Sequence, residues 1–338
     1  MREPLLHPID ISRKLTRLTL NMDSRPKRTK TRGASKSRTR IRKTARPSDA
    51  WVAFRSEDLP GGAILRKSKV RISPDDRGFM FADGVYEVIR SYSGRFFHLP
   101  EHLRRLRHSL KSLQIEFNGL DTVEPAARKL LRLNGLETGD ATVYVQITRG
   151  IYPRQHAFPG RPVTPTFYME ANRLAPNRPE METGVDVITV PDIRWSRCDI
   201  KSVALLGNVL AAQQACTKGA FESIQVRDGL LTEGTRTNVF GVRRGRLITH
   251  VRSGSILGGI TRDVILRLCR RLDIPVSESG IRENRLFQLD ELFLAGTTVE
   301  VTPVVRVNGR EVGTGRPGPV TRRLQQAFRA YLAEEIEA

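Results

Sequence analysis

Apolar positions fall into short alternating runs and a few longer runs at helical spacing, and this ordered pattern begins near Trp51. WVAFRSEDL and AILRKSKVRI read as strands, the second ending before the turn cluster Ser73-Pro74-Asp75-Asp76. VYEVIRSYSGRFFHL predicts a hairpin that turns at Ser93-Gly94. Leu103, Leu106, Leu110 and Leu113 then recur every three or four residues, which predicts an amphipathic helix with a basic face. AARKLLRLNGL predicts a second helix, ended by Asn134-Gly135. TVYVQITRG alternates as a strand and opens into the loop IYPRQHAFPGRP, after which TFYMEANRL is a further strand.

The stretch ANRLAPNRPEMETG is polar and rich in Pro and Gly, the composition of a boundary between domains. It divides the ordered chain into a smaller α+β domain at 50–174, a linker at 175–180 and a larger α+β domain at 181–338. The second part runs through the strand VDVITV, a helix-forming apolar run after Lys201, and the strand ESIQVRDGLLTEG. Strands in NVFGVRRGRLITH, a helix beginning at Thr261, strands ELFLAGTT and VTPVVRVNG, and a C-terminal helix TRRLQQAFRAYLAEEI follow. Two α+β units with mixed sheets fit this order, and the strict strand–helix alternation of a doubly wound fold does not.

Composition adds bounds. A chain of 338 residues with 39% hydrophobic positions can bury a sizeable core. It contains no apolar run of the ~18 residues that a membrane-spanning helix needs. The three cysteines, Cys198, Cys216 and Cys269, are spaced for neither a metal site nor a disulfide framework, so a reducing, cytoplasmic setting is expected. The net charge of +21 is unevenly spread: residues 1–49 hold 15 Lys/Arg and 4 Asp/Glu, a net +11, leaving 21 − 11 = +10 for the rest. Within residues 1–49, SRPKRTKTRGASKSRTRIRKTARPSD is nearly free of apolar residues and is expected to be disordered. It reads as a tether for nucleic acid, as a solvated tail, or as sequence upstream of a start near Met22.

The chemistry centres on Lys201. From residue 131 onward the chain has two lysines, Lys201 and Lys218, amid many arginines. Lys218 precedes Gly219 and reads as ordinary helix termination. Lys201 instead precedes its apolar run, where a helix dipole disfavours a cation. An amine that must shed its proton and react has to be lysine, since arginine keeps its proton in a protein. Other signals are each modest. Gly258-Gly259 before Thr261 at a helix start can make a cup for an anion. Thr297 and Thr298 end an apolar strand after Gly296. Glu233 lies between an apolar strand and a glycine, where a carboxylate needs a cationic partner. Arg154 and His156 place a guanidinium and an imidazole two residues apart on a loop, a possible carboxylate clamp.

Together DIRWSRCDIKSVALLGNVLAA, TEGTRTNVF, ILGGITRDV and TTVEVTPV resemble the fold-type IV pyridoxal-phosphate aminotransferases, with D-amino-acid aminotransferases as the nearest branch. The resemblance spans roughly residues 50–335. It implies a two-domain α+β fold with pyridoxal 5'-phosphate between the domains. It implies that Lys201 holds the cofactor as a Schiff base and moves a proton at the substrate Cα, with Glu233 on the pyridine nitrogen. Arg105, Ile260, Thr261 and Thr297 would hold the phosphate, Leu257 would pack on the ring, and Tyr86 would stand near the substrate. Arg154 and His156 would bind the substrate carboxylate from the neighbouring subunit of a homodimer. The implied substrates are a D-amino acid such as D-alanine and a 2-oxo acid, 2-oxoglutarate or pyruvate. A branched-chain L-amino-acid aminotransferase and an aminodeoxychorismate lyase are the alternatives. Arg236 stands where the family usually has a serine, a departure that bears on substrate range. A nucleic-acid-binding protein with a degenerate enzyme body is the reading from another class.

Overall fold

The computed structural model describes residues 49–176 and 178–337. The basic stretch expected to be disordered lies outside them, apart from its last residue. Strands β1 (Trp51–Ser56), β2 (Leu59–Arg66), β3 (Gly84–Tyr92), β4 (Arg95–Phe96), β5 (Asp140–Thr148) and β6 (Thr166–Arg173) form one six-stranded sheet in the order β2-β1-β6-β5-β3-β4. Every pairing in it is antiparallel. Along β5 the burial alternates with period two, so Ala141, Val143, Val145 and Ile147 face the core. Helix α1 (Arg77–Phe81) precedes β3, while α2 (Leu99–Ser112) and α3 (Val123–Leu133) supply Leu106, Leu110, Leu130 and Leu131 to the same core.

After a short helix α4 (Arg178–Thr183), the chain builds a ten-stranded mixed sheet. Its strands are β7 (Val185–Pro191), β8 (Glu222–Arg227), β9 (Leu230–Gly234), β10 (Asn238–Arg243), β11 (Arg246–Thr249), β12 (Val276–Ser277), β13 (Ile281–Arg282), β14 (Glu291–Gly296), β15 (Glu300–Val307) and β16 (Arg310–Glu311). The order is β12-β11-β10-β14-β15-β7-β8-β9-β13, with β16 on β15. One further bridge, Asn238 to Glu233, joins β10 to β9 and closes six of these strands into a ring. Helices α5 (Leu206–Thr217), α6 (Ile260–Arg271) and α7 (Pro319–Glu337) pack on this sheet.

Three local readings change. The run ESIQVRDGLLTEG is a hairpin rather than one strand, because Asp228 and Gly229 both take positive φ (52° and 71°) and turn the chain back. The second predicted strand stops at Arg66, and a 3-10 turn takes up Lys67–Lys69. Lys201 is not at a helix start: α5 begins at Leu206. Residues 201–203 lie outside any helix and are stitched to the first sheet, since Tyr86 N donates to Lys201 O at 2.9 Å and Val203 N to Gly84 O at 3.1 Å.

Candidate active site

These stitches carry Lys201 across to the edge of β3, into a cleft that both sheets line. The Lys201 backbone is fixed from a second side by its N–H, which donates to Ser109 Oγ at 3.1 Å on α2. Its Nζ lies 4.2 Å from the centre of the Tyr86 ring, close enough for a cation–π contact. Eight of the ten predicted site residues line this one cleft: Tyr86, Arg105, Lys201, Glu233, Leu257, Ile260, Thr261 and Thr297. Arg154 and His156 do not. Both are exposed on the loop between β5 and β6, where they meet the Phe81 ring.

Glu233 lies near the end of β9 at the closing bridge of the ring, and its carboxylate is buried. Oε1 accepts from Arg194 Nη1, and Oε2 accepts from Leu257 N at 3.0 Å and Asn238 Nδ2 at 3.3 Å. Burial pushes this carboxyl above the ordinary range, and Arg194 offsets part of that. The offset is partial because Arg194 is shared: Asp192, whose side chain has no exposed surface, takes its Nε at 2.9 Å and its Nη2 at 2.8 Å. A second guanidinium, Arg227, approaches Asp192 at 3.1 Å. The result is one buried carboxylate facing the cleft, braced from behind by an arginine.

Another part of the cleft lining suits an anion. Helix α6 begins there with Gly259 as its N-cap and no side chain closing its first N–H groups, while the Thr261 hydroxyl lies inside the first turn. Gly259 is required by contact, since a Cβ there would stand 2.0 Å from Asn238 Oδ1. Arg105 on α2 adds a guanidinium, oriented by two bonds to Glu87 (2.6 and 2.9 Å) and one to Gly258 O (2.9 Å). Three of its five donors are thus used, which leaves two for a ligand. Thr297, in the turn between β14 and β15, completes this part of the lining.

Glu87 lies on the core-facing phase of β3, between Val85 and Ile89, and is fully buried. Burial pushes its carboxyl upward, but the Arg105 guanidinium and His102, 2.8 Å away, overcome that and hold it well below the usual carboxylate range. Burial lowers the His102 pKa against the pull of Glu87. Arg236 lines the cleft, is exposed, and lies 5.7 Å from the Phe221 ring centre. No ion pair holds it among the described residues.

Sequence reasoning missed Arg194, Asp192, Glu87 and Glu222. Glu222 accepts from Thr235 N and Thr237 Oγ1, both at 2.9 Å, and so fixes the turn that follows Glu233. One signal was present: a Glu on the apolar phase of an alternating strand has to meet a cation.

Comparison with known proteins agrees with this arrangement. The model of the family described as amino-transferase class IV matches residues 84–307. A D-alanine aminotransferase of Staphylococcus haemolyticus is 40% identical over 272 residues, covering 80% of this chain and 96% of that one. A D-alanine aminotransferase of Bacillus licheniformis is 38% identical over 278 residues, 82% of this chain and 97% of that one. Among solved structures, the branched-chain amino acid aminotransferase of Escherichia coli superposes with a TM-score of 0.75 at 28% identity, covering 84% of this chain and 94% of that one. With its lysine, buried glutamate and anion cup in the matched region, this chain belongs to the class IV aminotransferases.

Proposed function

We propose that this chain moves the amino group of a D-amino acid such as D-alanine onto a 2-oxo acid, 2-oxoglutarate or pyruvate, using pyridoxal 5'-phosphate. One observation carries the reading: a lysine amine, a buried carboxylate and an anion cup converge on one cleft. These three groups suit the aldehyde, the ring nitrogen and the phosphate of that cofactor. When bound, the cofactor supplies an electron sink for the pair left at the substrate Cα.

The residues then take these roles. Lys201 would bind the cofactor, and its amine would take the proton from Cα and pass it towards the cofactor, then give a proton to Cα of the new amino acid in the second half of the reaction. Glu233 keeps negative charge at the ring-nitrogen end of the cleft. Arg105, Thr261, Thr297 and the Ile260 N–H hold the phosphate, while Leu257 packs on the ring and Tyr86 borders the substrate. Arg154 and His156 bind the substrate carboxylate. Because they lie outside the Lys201 cleft of their own chain, they serve the site of a second copy, and the working unit is a homodimer. In this reading residues 50–174 and 181–338 act as two domains that share the cofactor, and the three free cysteines suit the cytoplasm.

The higher identity to D-alanine aminotransferases (40% against 28%) favours D-amino acids over branched-chain L-amino acids. The test is reconstitution with pyridoxal phosphate. The protein is expected to turn yellow, lose its colour on adding D-alanine and regain it with 2-oxoglutarate. Protein that binds no cofactor, or whose colour is indifferent to D-alanine, contradicts the reading.

A further inference from the structure

The loop that carries Arg154 and His156 has no regular structure between the end of β5 at Thr148 and the start of β6 at Thr166. A loop of that length does not hold two side chains in register by itself. We propose that Arg77 is the positioning residue that sets this pair for the substrate carboxylate. The inference rests on the carboxylate-binding role given to Arg154 and His156 above.

Arg77 opens α1 and is 3% exposed. Its guanidinium reads three consecutive carbonyls of the loop: Nη1 donates to Gln155 O at 2.7 Å and to Ala157 O at 3.3 Å, and Nη2 to His156 O at 3.3 Å. Its Nε donates to Asp83 Oδ2 at 2.8 Å, so the fork is itself fixed. The same carboxylate anchors Arg149 (2.7 and 3.0 Å), whose guanidinium lies 3.7 Å from the centre of the Phe158 ring further along the loop. The loop base is tied at the same place, where Arg77 N donates to Gly150 O at 2.9 Å and Tyr152 N to Asp75 O at 3.1 Å.

The side chains repeat this arrangement. Arg77, Arg154 and His156 gather on the Phe81 ring, at 5.0, 4.8 and 5.5 Å from its centre. One carboxylate, Asp83, offsets this cluster, and it is spent on the two buried arginines. Arg154 therefore presents a guanidinium with no ion-pair partner among the described residues, as a carboxylate site requires. A planar fork spreads its donors over separate nitrogens and reaches three carbonyls at once; a lysine keeps the charge but donates from one nitrogen only.

The experiment uses the reconstituted enzyme and compares D-alanine with ethylamine, which is alanine without its carboxylate. Loss of cofactor absorbance on mixing gives kcat/KM for each amine. Arg77→Lys is expected to lower the D-alanine value about tenfold or more, the scale of one charge-assisted hydrogen bond, with cofactor affinity and the ethylamine rate unchanged. In an Arg154→Met/His156→Ala background the same change is expected to add little. An equal loss with ethylamine, an undiminished D-alanine rate, a full additional loss in the double background, or loss of cofactor or fold in Arg77→Lys overturns the proposal in favour of a structural ion pair. Arg154→Met serves as the separate control: if it leaves D-alanine turnover intact, the carboxylate role of the loop fails, whatever Arg77 does.

Discussion

Glu233 and Arg154 are both charged groups assigned to one reaction, yet they are housed in opposite ways. Glu233 is buried and takes hydrogen bonds from three residues of its own chain. The side chains of Arg154 and His156 stand in solvent against a single phenylalanine. Groups that would hold the cofactor are thus completed within one chain, whereas groups that would select the substrate stand exposed on a loop outside the cleft. The contrast follows from electrostatics. A buried carboxylate must be paired locally or be strongly destabilising, while an exposed arginine on a carbonyl-anchored loop can wait for its anion.

Substitutions on the two sides should separate accordingly. Lys201→Ala is expected to remove the cofactor absorbance and all transamination of D-alanine, the largest effect; residual turnover above background would break the account at its centre. Glu233→Ala should retain bound cofactor but lower kcat by about a hundredfold or more, the scale of one preorganised electrostatic group, as read by steady-state pyruvate release. Arg154→Met should raise KM for D-alanine by about tenfold while cofactor affinity holds, so titrating both ligands tests whether the two regions are independent.

The smallest effect lies on the cofactor side and concerns pH. The carboxyl of Glu87 is held below its unfolded value, so its stabilisation is complete above the ordinary carboxylate range and is lost as pH falls through the folded-state pKa. Glu87→Gln should therefore lower Tm at neutral pH, by the equivalent of about 3 kcal/mol for a broken buried pair, and flatten the loss of stability on acidification. Melting curves from neutral to acid pH check this; parallel curves for both proteins would show that Glu87 carries none of the acid sensitivity.

Elements with a clear period were legible in the sequence, and the contacts that assemble the site were less so. Leu106 and Leu110 mark α2, and the alternation of β5 is plain in TVYVQIT. Asp228-Gly229 was misread inside a longer apolar run, though such a pair is a strong hairpin signal. The apolar run after Lys201 correctly announced a helix, but its start was set too early. The backbone of β3 captures residues 201–203, and no periodicity in the sequence records that pairing. Arg77 pairs with a loop almost eighty residues away (separations of 78 to 80), and Arg194 with a carboxylate 39 residues on. In a chain with 57 Lys and Arg, neither arginine stands out before the fold is known.

A panel of D- and L-amino acids offered with 2-oxoglutarate to the reconstituted enzyme tests the central claim most directly. The account predicts that D-alanine and other D-amino acids are turned over and that L-leucine, L-isoleucine and L-valine are poor substrates. Faster turnover of the branched-chain L-amino acids, or release of pyruvate from aminodeoxychorismate without an amino acceptor, would contradict it.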